Sequence, residues 1–426
     1  MAENTPGYDS AETLRKNGQY DQAVEQFSAL WEQRPSPMIG WRYAFCLRKL
    51  GRLEDAERVA RSALEKFPND KWTANELIWV LYDRDLKPAK EESDLGRVLR
   101  VASEIMPLNP EGLALQRVAL VVMKVAKGRG RWDVVLEWVN KLRPQDLSAE
   151  PGQFDGKRGM SDRETWYVNR ARALLELGRY TEAIEQTEAA KAEFPDDIFL
   201  ARTAALATAR SGDVQAGATK MRSLLAHPRS DWYVKADLAD LEFQLGNHAE
   251  AYRLLCEAVQ NPQDDQYKLK CFVTIARAAL ALGQPVVAAE HITLAKAIRA
   301  QESWSLPAEL VDAERETHAA LEAQGQSWPD MDNDVRELSR ICRKRWREGV
   351  TAGLQRSQGT IRSISENKKF TFIRRDDGEE DVFVLVRDLP RECARAGARV
   401  DFALKKSFDR KKGKESVQAI DVRCLR

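Results

Sequence analysis

The chain has 426 residues, 43% of them apolar and 31% charged; at roughly 100 to 200 residues per domain this points to two to four folded units and excludes wholesale disorder. The longest apolar stretches, such as LIWVLY at 77–82, fall far short of a bilayer, and the opening MAENTPGYDS has neither a basic segment nor an apolar core, so neither membrane insertion nor secretion is expected. The net charge of +1 hides an asymmetry: residues 341–426 hold 22 Lys and Arg against 13 Asp and Glu, net +9, and the rest of the chain is net −8.

A basic end on an acidic body suggests a polyanion partner at that end. The six cysteines, Cys46, Cys256, Cys271, Cys342, Cys393 and Cys424, include no C-x-x-C pair. That argues against a zinc site or a disulfide framework, and for free thiols in a reducing cytoplasm.

From the N-terminus, a glycine recurs with an aromatic or apolar residue two positions on and usually an alanine five positions on. Gly18, Tyr20, Ala23, Phe27 and Pro35 set the pattern; Gly51, Leu53, Ala56, Ala63 and Pro68 repeat it, as do Gly178, Tyr180, Ala183, Ala190 and Pro195. Gly212 with Pro228, Gly246 with Ala251, Ala258 and Pro262, and Gly283 with Ala288 and Ala295 continue it. Each period reads as two amphipathic helices joined at the glycine, because apolar residues recur at three and four positions on either side. Pairs this short bury their apolar stripes only by stacking, which predicts a solenoid with the form of a curved rod.

These residues resemble the tetratricopeptide repeat over roughly residues 5–300, and the resemblance implies a concave surface that binds a protein or peptide. A less regular helical pair is expected at about 70–110. RPQDLSAEPGQFDGKRGMSD, with three glycines and two prolines, reads as a loop insertion. Trp31, Trp41, Trp72 and Trp79 fall at helical spacing and read as core. The expected boundaries are repeats over 1–142, the insertion at 143–162, further repeats over 163–300, and capping helices with a basic linker helix over 301–349.

In the last of these helices Val335, Leu338, Cys342 and Trp346 share an apolar face suited to capping the solenoid. Arg336, Arg340, Arg343, Lys344, Arg345 and Arg347 crowd its other sides; either a phosphate backbone docks there or water solvates them.

After Gly349 the period changes to two. Strands are expected near 359–364, 368–374, 381–387, 398–405 and 416–423, closing into a small five-stranded barrel over 355–426. In KKFTFIRR, Phe370 and Phe372 leave one face and Thr371 and Ile373 the other. In DVFVLV, Phe383 shares a face with Leu385, while Val382, Val384 and Val386 suit the core. Three rings among Arg362, Lys368, Lys369, Arg374 and Arg375 would let unpaired bases stack while cations meet phosphates. KKSFDRKKGK adds Lys405, Lys406, Phe408, Arg410 and Lys411 to the candidate nucleic-acid-binding set.

The same segment resembles the cold-shock domain, a barrel of the oligonucleotide-binding (OB) type. Gly359, Ile361, Arg362, Lys368, Phe370, Phe372 and Ile373 fit that family's first run, and Asp376 to Val384 its second. Gly397, Val400 and Phe402 fit its fourth strand, and Gln418, Ala419 and Val422 its last. Ser363, Ile364, Lys369, Thr371, Leu385 and Val386 depart from it, with the loss of several stacking rings. Binding that leans on cations should be strongly salt-dependent with little base preference.

No phosphate-cradling glycine loop, H-E-x-x-H or G-x-S-x-G occurs, and His227, His248, His291 and His318 have no metal-ligand spacing. The expectation is therefore no enzyme, catalytic residue, metal or cofactor. The expected class is multidomain: an all-α tetratricopeptide-like helical solenoid followed by a small five-stranded all-β barrel. The expected function is an adaptor holding single-stranded RNA or DNA on the barrel and a protein or peptide partner in the solenoid groove. The alternatives are a pure protein-interaction scaffold with a degenerate barrel, or a regulatory subunit of a nucleic-acid-processing or phage-defence complex.

Overall fold

The computed structural model describes residues 7–154, 157–364, 369–409 and 414–425, with side chains for all of these except 154, 157, 158, 406–409, 414 and 415. The chain forms two compact units, Met1–Ser211 and Gly212–Arg426.

The first unit begins with α1 (Tyr8–Lys16), α2 (Tyr20–Gln33), α3 (Pro37–Lys49), α4 (Leu53–Lys66) and α5 (Lys71–Leu81), each packed against the next. Gly51 shows what the repeat glycine does. Its φ is 74°, a conformation that a side chain would strain, and it lets the Arg52 N–H turn back to donate to the Leu47 carbonyl at 2.9 Å. Gly178 repeats this, with φ 75° and the Arg179 N–H donating to the Leu174 carbonyl at 2.9 Å. The repeat alanines Ala23, Ala56 and Ala183 are fully buried, as a close helix crossing requires.

The less regular stretch is mostly helical: α5 runs through a π turn, Tyr82–Leu86, into α6 (Lys87–Glu91), followed by α7 (Leu95–Ile105), α8 (Gly112–Gly128) and α9 (Trp132–Val139). The expected loop holds a short antiparallel hairpin, β1 (Gln153–Phe154) with β2 (Lys157–Arg158). A capping box between Ser161 and Glu164 then starts α10 (Asp162–Glu176), followed by α11 (Tyr180–Lys191) and α12 (Ile198–Arg210).

The second unit comprises α13 (Val214–Ser223), α14 (Trp232–Gln244), α15 (His248–Ala258), α16 (Leu269–Ala281), α17 (Pro285–Gln301), α18 (Ala308–Ala323) and α19 (Val335–Thr351), then the barrel. The apolar face of α19 packs on α15 and α17. Leu338, Cys342 and Trp346 are buried there, and Trp346 stacks on Phe272 with centroids 5.7 Å apart and planes 8° apart. The Trp346 indole N–H donates to His291 Nε2 at 2.9 Å, and His291 Nδ1 lies 2.8 Å from the Val287 carbonyl oxygen. Since Nε2 accepts, Nδ1 carries the imidazole proton. Arg345 reaches the buried Glu290 through two hydrogen bonds of 2.8 and 2.9 Å.

The barrel strands are β3 (Arg356–Ile361), β4 (Phe370–Arg375), β5 (Val382–Leu385), β6 (Arg399–Asp409) and β7 (Lys414–Cys424), closed in the order β3-β4-β5-β7-β6. Its core contains Ile361, Ile373, Val382, Val384, Val400, Phe402, Ala419 and Val422. Gly359 allows β3 to approach β4: a Cβ there would lie 2.4 Å from the Arg374 carbonyl oxygen and 2.8 Å from Ile373. Arg356 ties β3 to β6 and β7 through Asp401 and Asp421.

One expectation fails. Cys393 and Cys424 form a disulfide across a separation of 31 residues, with Cα atoms 5.8 Å apart. A 3-10 turn, Arg391–Cys393, delivers one thiol to the end of β7; short-range spacing carries no information about such a pair. The four other cysteines are free and buried, and burial pushes the thiols of Cys46, Cys256 and Cys271 up to about 12. They are protonated at neutral pH and poor nucleophiles. Among the described residues no helix is long and apolar enough to cross a membrane.

Candidate nucleic-acid interface

The pleat of β4 sends Thr371 and Ile373 inward and Phe370, Phe372 and Arg374 outward. Thr371 is buried and its hydroxyl donates to the Ser363 carbonyl at 3.0 Å. On β5, Val382 and Val384 are buried and Phe383 is half-buried on the outer side. The register sets Phe372 opposite Phe383 and Phe370 opposite Leu385.

Three rings therefore cluster on the outside. Phe370 lies 6.0 Å from Phe372 and 5.3 Å from Phe383, and Phe372 lies 6.1 Å from Phe383. Phe370 and Phe372 keep 39% and 40% of their surface in water, so the cluster is open to a ligand. Pairing continues on both sides: Phe383 is the parallel partner of Gln418 on β7, Gln418 faces Lys405 on β6, and the Arg362 N–H bonds to the Phe372 carbonyl. Lys405, Gln418, Phe383 and Phe372 thus form one transverse row across β6, β7, β5 and β4, which Arg362, the residue after β3, extends.

The cations split into two groups. Lys369 and Arg374 are exposed beside the rings. Arg362 is paired with Asp381 at 2.6 Å, Arg375 is tucked against Asp377, and Lys405 is paired with Glu257 of α15. Burial alone would raise Glu257, but Lys405, with Lys235 and Arg253, holds its carboxyl below the usual range. Lys368, Arg410 and Lys411 lie outside the described residues, as do the side chains of Lys406 and Phe408. Sequence reasoning missed the partners of Arg362 and Lys405 because they sit 19 and 148 positions away; Asp377 is only two positions from Arg375.

A second aromatic surface lies in the first unit. Trp72 is 67% exposed and stacks on Trp41 at 5.7 Å, with Arg42 over the Trp41 ring at 4.1 Å. The reading of these tryptophans as core does not extend to Trp72. Among the described residues no group of three or more His, Cys, Asp or Glu is arranged to hold a metal ion.

A family model of the tetratricopeptide repeat matches residues 8–71 and 157–198, the stretches that contain the most regular glycine patterns. No curated protein matches the chain. Similar solved structures include a tetratricopeptide repeat protein from Parabacteroides merdae (13% identity, 73% of this chain and 97% of that one, TM-score 0.31). A thermophilic tetratricopeptide protein of Thermus thermophilus is also similar (18% identity, 58% and 99%, TM-score 0.30). A third is the human IFIT1 dimer with m7Gppp-AAAA (14% identity, 79% and 80%, TM-score 0.38). The family match and the glycine-jointed helix pairs agree: the chain carries tetratricopeptide repeats, and a closed five-stranded barrel follows them.

Proposed function

We propose that this protein is an adaptor, holding single-stranded RNA or DNA on the outer face of a cold-shock-like barrel and a protein partner on its tetratricopeptide helices. The observation that carries this reading is the exposed cluster of Phe370, Phe372 and Phe383. Each ring held in water forfeits part of the roughly 1.5 to 3 kcal/mol available from full burial. A stacked base recovers that, at about 1 to 3 kcal/mol per ring, without regard to sequence. Lys369 and Arg374 meet phosphates alongside; two such contacts give a salt slope of about −1.4. Stacking therefore carries more of the affinity than the sequence suggested. The Trp41–Trp72 stack, with Trp72 exposed and Trp41 half-buried, is the favoured contact for the protein partner, because large rigid aromatics anchor such interfaces. With both ends engaged, tethering raises the partner's effective concentration at the nucleic acid to about the millimolar range.

The test is titration of a labelled single strand into the full chain. Replacing Phe370, Phe372 and Phe383 together by alanine should weaken binding by about two orders of magnitude or more. Replacement of all three by leucine keeps apolar bulk while removing the rings and should still cost about tenfold or more. Undiminished affinity in the leucine variant defeats the stacking reading. A scaffold with a degenerate barrel is the second reading, favoured by the self-pairing of Arg362, Arg375 and Lys405; it predicts no binding by the wild type at all.

A further inference from the structure

The seating of α19 is fixed on one side. Gly349 lies so close to α15 that a Cβ there would meet Cys256 Sγ at 2.5 Å and Tyr252 at 2.7 Å, and Leu338, Cys342 and Trp346 are buried on the same face. The helix therefore cannot roll, and its opposite side must present what the sequence put there. Arg336, Arg340, Arg343 and Arg347 are all exposed. Their offsets of 4, 7 and 11 residues place them on one stripe, rising about 16 Å along the axis.

Little neutralises that stripe. Arg340 is bound by Glu337, and Arg345, off the stripe, is bound by Glu290. Among the described residues no carboxylate pairs with Arg336, Arg343 or Arg347. Like charges at these spacings work against the helix that carries them, and a polyanion would relieve the repulsion.

A groove of about 1110 Å³ opens beside the stripe, and those three arginines line one wall. Gln263, Gln266 and Gln301, from the 259–268 segment and the end of α17, make the facing wall, with Asp264, Asp265 and Glu302 among them; Asp265 is already held by Lys268 and by Ser339 of α19. The carboxylates keep phosphates away from that wall, while the amides can donate to and accept from base edges. The groove thus suits a single strand with its backbone on α19 and its bases turned to the glutamines. Only four residues separate the end of α19 from the start of β3, so the stripe is joined directly to the barrel.

We infer that this arginine-edged groove is a second seat for the single strand bound by the barrel, engaging its phosphates. The inference rests on the barrel reading and extends it from a short grip to a long one.

The test uses the full chain and labelled oligo(dT) of about 6 and about 20 nucleotides, the first within the span of one such barrel and the second beyond it. Changing Arg336, Arg343 and Arg347 together to glutamine should lower the salt slope on the long strand by about 2, at about 0.7 per phosphate contact, and weaken its binding about tenfold or more. Affinity for the short strand should not change. Arg315→Gln, which removes an exposed, Asp312-paired arginine on α18 outside the groove lining, should leave both unchanged. A triple variant with wild-type slope and affinity on the long strand overturns the inference. Poly-glutamate that binds the wild type but not the triple variant, and does so without weakening the long strand, also overturns it, in favour of an acidic protein. If the phenylalanine variants bind normally and the arginine variant does not, the barrel reading falls and the groove stands.

Discussion

Phe272, His291 and Trp346 beneath α19, and Phe370, Phe372 and Phe383 on the barrel, are both triplets of rings within about 6.5 Å of one another. The first triplet is shut in, with Trp346 and Phe272 buried. The second faces water, although its strands possess a core. The difference lies in what occupies the alternate positions. On β4 and β5 the inward places belong to Thr371, Ile373, Val382 and Val384, so the rings have no inner place to take. On α19 the apolar positions fall on a single helical face and there is only one place to bury them. An aromatic residue is structural or available according to its phase relative to its neighbours.

The largest expected effect tests the buried side of this contrast. Trp346→Ala removes the indole packed on Phe272 of α16 and His291 of α17 and should cost about 3 to 5 kcal/mol of stability, read as a fall in the urea midpoint. Phe372→Ala, where much of the ring is already in water, should cost about 1 to 2 kcal/mol by the same measurement. Equal losses would mean that the barrel rings are core after all.

A pH titration sharpens the contrast next. Burial drives His291 down to about 4, and protonating Nε2 would set a new N–H against the Trp346 donor. Between pH 6.5 and 4 the unfolded chain takes up a proton that the folded chain refuses. The contribution of His291 is therefore complete above about pH 6.5 and is lost as the pH falls toward 4, by up to about 3 kcal/mol. Urea unfolding across this range, compared with His291→Asn, isolates the effect; parallel curves for the two proteins would show that the imidazole does not stay neutral.

What the sequence disclosed follows the same logic of phase. Gly18, Gly51 and Gly178 mark helix junctions because a left-handed residue followed by an apolar period has few other uses, and the alternation in KKFTFIRR tells inside from outside. Periodicity says nothing about partners that are far apart in the chain. The Cys393–Cys424 bond, the Arg362–Asp381 pair and the Lys405–Glu257 pair all depend on closure of the fold. Trp72 escapes the core for a related reason: it occupies the first turn of α5, where helical spacing holds but Trp41 of α3 stacks on the ring and 67% of Trp72 stays exposed.

The smallest expected effect concerns those hidden partners. Arg362 stands at the end of the row that runs through Phe372, yet Asp381 holds it at 2.6 Å. The pair is exposed and worth only about 0.2 to 1 kcal/mol, so a phosphate can compete for the guanidinium but must first displace the carboxylate. Asp381→Asn removes that competitor. Single-strand affinity should rise by about two- to fivefold at low salt, and the salt slope should steepen by about 0.7 as one more phosphate contact forms. Glu379→Gln deletes the same charge from the same turn without freeing a cation of the row, so it separates general repulsion from release of Arg362. A steeper slope in the first variant alone identifies Arg362 as a phosphate contact held in check by its own strand neighbour; the same slope in both assigns the gain to lost repulsion and leaves stacking as the main source of affinity.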